Sequence, residues 1–109
     1  MPTNAVVSIL HRVSGFTLFL AIPLLLLMLQ CSLSSAEGFQ RALNVLSHPI
    51  MKLLELGLVW AFAHHFLAGL RHLAMDVHWG TALNEARITS KLVIAGALLV
   101  TVWAAWKLC

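Results

Sequence analysis

Between Val13 and Leu33 lie 21 residues without a single Asp, Glu, Lys or Arg. Wound as a helix at about 1.5 Å per residue, that run crosses a hydrocarbon core of roughly 30 Å, and a helix satisfies its own backbone polar groups there. The rest of the chain agrees. It has 109 residues, 61% of them hydrophobic and 10% charged, with a mean hydropathy of +0.91, which is too apolar for a water-soluble domain of this size. The formal charge of +3 comes from a few basic residues spread over helix ends rather than from a run, which argues against a nucleic-acid partner. The opening Met-Pro-Thr-Asn-Ala-Val-Val has neither a basic n-region nor a small-residue cleavage site, so the first hydrophobic segment itself is expected to direct insertion.

The expected fold class is an all-α integral membrane protein, one membrane-anchor domain over residues 1–109 with three transmembrane helices. Helix one is expected over about 5–33, with Pro23 inside it as a kink. Ser34 and Glu37 have capping-box spacing. Phe39, Ala42, Leu43 and Leu46 then give a short amphipathic surface helix over about 36–46. Pro49 suits the first turn of a second long helix, about 49–76. Val77 to Lys91 is polar and reads as a loop. The third span, about 90–108, rests on 15 uncharged residues from Leu92 to Trp106, lengthened by snorkelling of Lys91 and Lys107. Trp103 and Trp106 suit an interfacial belt, and Gly96 admits a close helix neighbour. Three spans put the termini on opposite sides of the membrane. Arg12, Arg71, Arg87 and Lys91 fall on the side of the N-terminus, against Arg41, Lys52 and Lys107, which favours a cytoplasmic N-terminus. Cys31 and Cys109 share a surface and have no metal-type spacing; a disulfide and two unpaired thiols are both open.

Polar residues are expensive inside a bilayer, so the stretch 64–76 stands out. On a helix of about 100° per residue, His65, Gly69, His72 and Asp76 fall on one stripe. Trp60, His64 and Arg71 fall on another, one step around. A stripe with an imidazole, a position lacking a side chain and further polar groups suits a flat, anionic, iron-containing ligand. In helix one, Ser8, His11, Arg12 and Gly15 share a face, and helix one starts where helix two ends. A hydroxyl and a fixed cation suit the carbonyl oxygens of a quinone, and His and Asp near the aqueous phase suit its proton uptake. Each group also has a plainer reading, as a headgroup anchor or an interhelical hydrogen bond. One helix supplies only one deep axial ligand, and no other span here carries a deep histidine. A six-coordinate haem therefore requires a partner subunit, and the three helices are half of a heterodimeric bundle.

Ser8-Ile9-Leu10-His11-Arg12-Val13-Ser14-Gly15, followed by His65-Phe66-Leu67-Ala68-Gly69-Leu70-Arg71-His72 and Asp76, resembles the cytochrome b membrane-anchor subunit of succinate dehydrogenase, the larger of its two three-helix anchors. The resemblance spans essentially the whole chain, including Ser34 to Phe39. It implies that His65, not His64, is the axial ligand of one haem b shared with the second anchor. It implies that Ser8 and Arg12 contact ubiquinone, and that His11, Arg12, Arg71 and His72 lie near the haem propionates. Asp76 is implied near the quinone site, on a proton path or against the iron–sulfur subunit. The implied partners are the second anchor, the iron–sulfur subunit, the flavoprotein subunit and membrane lipid. The implied location is the inner, cytoplasmic membrane. The family's quinone-contacting Tyr belongs to the smaller anchor, and this chain has no Tyr. One departure is that only seven residues precede Ser8, where the family carries a longer arm with an Arg-Pro segment. Two competing readings are the anchor of a fumarate reductase and a haem-free small membrane transport or assembly protein.

Overall fold

The structure is a computed structural model describing residues 2–109. It contains four helices: α1 (Thr3–Ser34), α2 (Ala36–Leu46), α3 (Pro49–Asp76) and α4 (Leu83–Leu108). α1, α3 and α4 are each long and apolar enough to cross a membrane. They pack side by side into a rod 55 Å long, with α2 folded against the end of α1.

What holds the three spans together is small. The buried positions are Val7, Ser14 and Ala21 on α1, Ala61, Ala63, His64, Ala68 and Arg71 on α3, and Ala86, Ser90, Val93, Ala97 and Ala104 on α4. Lipid tails are as apolar as leucine, so helices in a membrane gain by close backbone approach rather than by burying large side chains. The large apolar residues accordingly point outward, Phe19, Leu24, Leu99 and Val102 among them. At Gly96 α4 comes close to α3, with the Leu67 δ-methyl occupying the space a Cβ would take.

The connections follow from local chemistry. Ser34 Oγ donates to the Cys31 carbonyl and closes α1, while Ser35 Oγ accepts from Gly38 N at 2.9 Å and opens α2. The cap is therefore Ser35, one residue later than the capping-box spacing of Ser34 and Glu37 suggests. Gly38 is needed for this turn, because a Cβ there would collide with the Cys31 carbonyl. His48 Nδ1 caps α3 by accepting from Ile50 N at 3.2 Å, with Pro49 in the first turn. α3 ends where Trp79 N reaches back to the Ala74 carbonyl and His78 N to that of Met75. His78 takes the left-handed conformation of this ending, φ 65°, where glycine is usual.

α4 starts at Leu83, so most of the stretch expected as a loop over 77–91 is helix. The helix signal there was carried by Ala86, Ser90, Val93 and Ala97, whose spacing is helical but whose side chains are too small or polar to register as an apolar stripe. Arg87 and Lys91 are exposed on the outer face of that turn. Ser90 Oγ donates to Asn4 Oδ1 at 3.0 Å, tying the start of α4 to the start of α1. At the other end Lys107 Nζ lies 4.7 Å from the centroid of the exposed Trp106 ring. Cys31 and Cys109 are both free thiols.

Candidate functional site

The start of α1 lies against the second half of α3, and this brings three imidazoles together. The His65 and His11 rings stack at 4.2 Å, only 5° from parallel, and the His72 ring leans on His11 at 5.0 Å. Room for the His65 ring comes from Gly15, where a Cβ would stand 2.9 Å from His65 Cε1. The sequence reading assigned the empty position to Gly69. There a Cβ would meet only His11 Nε2, at an ordinary 3.7 Å, so packing within the chain demands the glycine at 15 rather than at 69.

His65 Nδ1 lies 3.1 Å from the His11 carbonyl oxygen and 3.3 Å from Ser14 Oγ. A carbonyl oxygen can only accept, so Nδ1 carries the proton and Nε2 keeps its lone pair. Ser14 Oγ donates to the same carbonyl at 3.0 Å, leaving its own lone pairs toward the imidazole. This is the arrangement that orients a metal-binding histidine: one nitrogen anchored on backbone, the other presented. Ser14 is fully buried, and sequence reasoning gave it no role. Its spacing of three from His11 on a helix is the signal that points to the shared carbonyl.

The neighbouring His64 is a different object. It is 1% exposed, its ring packs on Trp60 at 5.3 Å, and neither ring nitrogen has a hydrogen-bond partner among the described residues. No ligand reaches it without the bundle opening. The two histidines differ by one step of the helix, about 100°, which turns one inward and the other along α1.

Of the other expected residues, Ser8 and Arg12 sit on α1 one turn before and one residue after His11, Ser8 half-buried and Arg12 exposed. Asp76 is exposed as the last residue of α3, one turn beyond His72. All three stand at the same end of the rod as the imidazole cluster. Arg71 does not join them. Its Nε donates to Thr89 Oγ1 at 3.2 Å and its Nη2 to the Ala86 carbonyl at 3.4 Å, both on α4. Within this chain its guanidinium is therefore turned toward α4, one helical step around from His72.

A single presented imidazole cannot hold a bare divalent ion, which needs several protein donors at once. A tetrapyrrole brings four nitrogen donors of its own and asks the protein for axial ligands only. His65 fits that requirement by its fixed tautomer, and Gly69 leaves the adjoining turn of α3 without a side chain.

Residues 1–104 match the model of a family described as succinate dehydrogenase/fumarate reductase transmembrane subunit. The chain belongs to this family. Among curated relatives of this transmembrane subunit, the succinate dehydrogenase cytochrome b556 subunit of Coxiella burnetii is 38% identical over 104 residues, covering 94% of this chain and 83% of that protein. The cytochrome b556 subunit of Paracoccus denitrificans is 32% identical, covering 94% and 78% respectively. A succinate dehydrogenase hydrophobic membrane anchor subunit of Halobacterium salinarum is 29% identical, covering 84% and 72%. As a transmembrane subunit of this family the chain is part of an enzyme complex whose catalysis lies on other subunits, and its role is that of a membrane anchor.

Proposed function

We propose that this chain is the haem b- and ubiquinone-binding anchor of a succinate dehydrogenase, passing electrons from the iron–sulfur subunit to ubiquinone. The observation that carries the proposal is the His65 imidazole, anchored through Nδ1 on the His11 carbonyl with Nε2 presented. The relatives named as cytochrome b556 subunits support a b-type haem, whose iron supplies one-electron chemistry when bound. With His11 and His72 packed against the His65 ring, the group's other protein ligand would come from a second three-helix anchor.

The chain's own residues then divide the work. Ser14 and the His11 carbonyl hold the His65 tautomer, and Gly15 keeps the ring in place against α1. His11, His72 and Arg12 offer donors toward the haem carboxylates. The Ser8 hydroxyl donates a hydrogen bond to a quinone oxygen, and Arg12 stabilises the negative charge that grows there on reduction. Asp76, at the exposed end of α3, connects the proton supply to water and faces the iron–sulfur subunit. The flavoprotein subunit oxidises succinate beyond it, with the N-terminus on the cytoplasmic face of the inner membrane.

A fumarate reductase anchor is the second reading, favoured by a family description that joins the two enzymes. The test of both is the reduced-minus-oxidised spectrum of the complex purified with its partner subunits. A b-type band retained in His64→Ala and lost in His65→Ala supports the proposal; a band lost only with His64→Ala, or absent from the wild type, overturns it. The ratio of succinate oxidation to fumarate reduction by the same preparation separates the two directions.

A further inference from the structure

Arg71 is 8% exposed, and both oxygens that accept from it are neutral. A guanidinium stays protonated even when buried, so a charge taken out of water without an acidic partner is costly unless something anionic completes it. Its Nη1 has no acceptor among the described residues and is not sealed off. Arg71 lines a cleft of about 250 Å³ between the end of α3 and the start of α4, together with Leu70, Ala74, Trp79, Thr89 and Leu92. That volume is several times the roughly 30 Å³ of one water, enough for a phosphodiester.

We propose that this cleft seats the phosphate of an anionic membrane phospholipid, with Arg71 as its charged donor and the acyl chains running down the outside of α3 and α4. Three observations choose lipid over a protein carboxylate. At about 100° per residue, Leu70 and Ala74 lie on the flank of α3 opposite His65, Gly69 and His72. The second anchor, which has to reach the His65 flank to share a haem, therefore does not cover this cleft; in this respect the inference rests on the proposed function. The rim is apolar and open, with Leu70 49%, Leu92 62% and Trp79 72% exposed, as a lipid-facing rim at headgroup depth requires. Arg87 and Lys91 stand exposed on the first turns of α4, and cations near the surface concentrate anionic lipid locally.

Nε and Nη2 of Arg71 are committed to α4, so the lipid oxygen takes Nη1, and Thr89 holds the guanidinium in register. The experiment uses the complex purified with its partner subunits, stripped of lipid and titrated with phosphatidylglycerol or phosphatidylcholine in mixed micelles, with bound lipid counted by native mass spectrometry. Arg71→Gln removes the charge, and Ala74→Leu fills the cleft while the arginine and its charge are kept. Each is expected to weaken phosphatidylglycerol retention about five- to tenfold, leave phosphatidylcholine retention unchanged and leave the haem spectrum intact. Wild-type retention in Ala74→Leu overturns the proposal even where Arg71→Gln fails to assemble. A partner-subunit carboxylate found on Arg71 in the assembled complex overturns it as well. Failure of the haem assignment shows in the spectrum of His65→Ala and leaves lipid retention as its own, separate readout.

Discussion

The two flanks of α3 are made from the same short stretch and do opposite things with it. On one, His65 gives Nδ1 to the backbone of α1, with His11 and His72 packed beside the ring. On the other, Arg71 spends two of its donors on α4 and turns its remaining face to a small cleft. Between the flanks runs the buried stripe of Ala61, His64 and Ala68. Polar side chains one or six positions apart thus serve different surfaces, and the neighbour across each flank decides which.

The largest effect that would break this comparison is removal of the presented imidazole. His65→Ala is expected to abolish the b-type absorption of the purified complex, whereas Arg71→Gln leaves it intact. Equal loss from both would mean the flanks are one site. Next comes Gly15→Val, which forces a side chain into the space of the His65 ring. Overpacking of this kind costs about 1–3 kcal/mol, and it should lower haem content while sparing the α4 contacts of Arg71. A stable Gly15→Val complex with full haem content would place the ring elsewhere.

Much of this was legible in the sequence, and the reasons are specific. The uncharged run of α1 requires a span, and the Ser8 to Gly15 and His65 to His72 motifs placed two polar groups at one end of the bundle, where the structure also has them. The start of α4 was not legible, because its buried stripe of Ala86, Ser90, Val93 and Ala97 has helical spacing without hydropathic contrast. The direction of Arg71 was not legible either. A helical wheel separates it from His72 by one step, but only the presence of Thr89 and the Ala86 carbonyl across the groove shows where it points. The role of Ser14 depended on a main-chain oxygen, and side-chain patterns carry no information about those.

Smaller effects sharpen the picture of the middle stripe and the turn. His64 keeps two buried ring nitrogens without partners among the described residues, so His64→Leu, close to it in volume, is expected to raise thermal stability by about 1–2 kcal/mol with the haem band unchanged. A fall in stability would reveal a partner for His64 in the assembled complex. Ser14→Ala removes one of two oxygens beside His65 Nδ1 and should cost about 1 kcal/mol, read as a modest loss of haem retention on dilution. At the α3–α4 turn, His78→Gly relieves a left-handed backbone and should stabilise the complex by about 1 kcal/mol, with neither haem nor lipid retention changed.

The central claim is that His65 meets iron through Nε2 while its Nδ1 stays on the backbone of α1. A density map of the assembled complex tests it directly. The account predicts iron bonded to His65 Nε2, Nδ1 within hydrogen-bond distance of the His11 carbonyl, and the opposite axial ligand on a different polypeptide. Iron bonded to His11 or His72, or a porphyrin seated against the Arg71 flank, would contradict it.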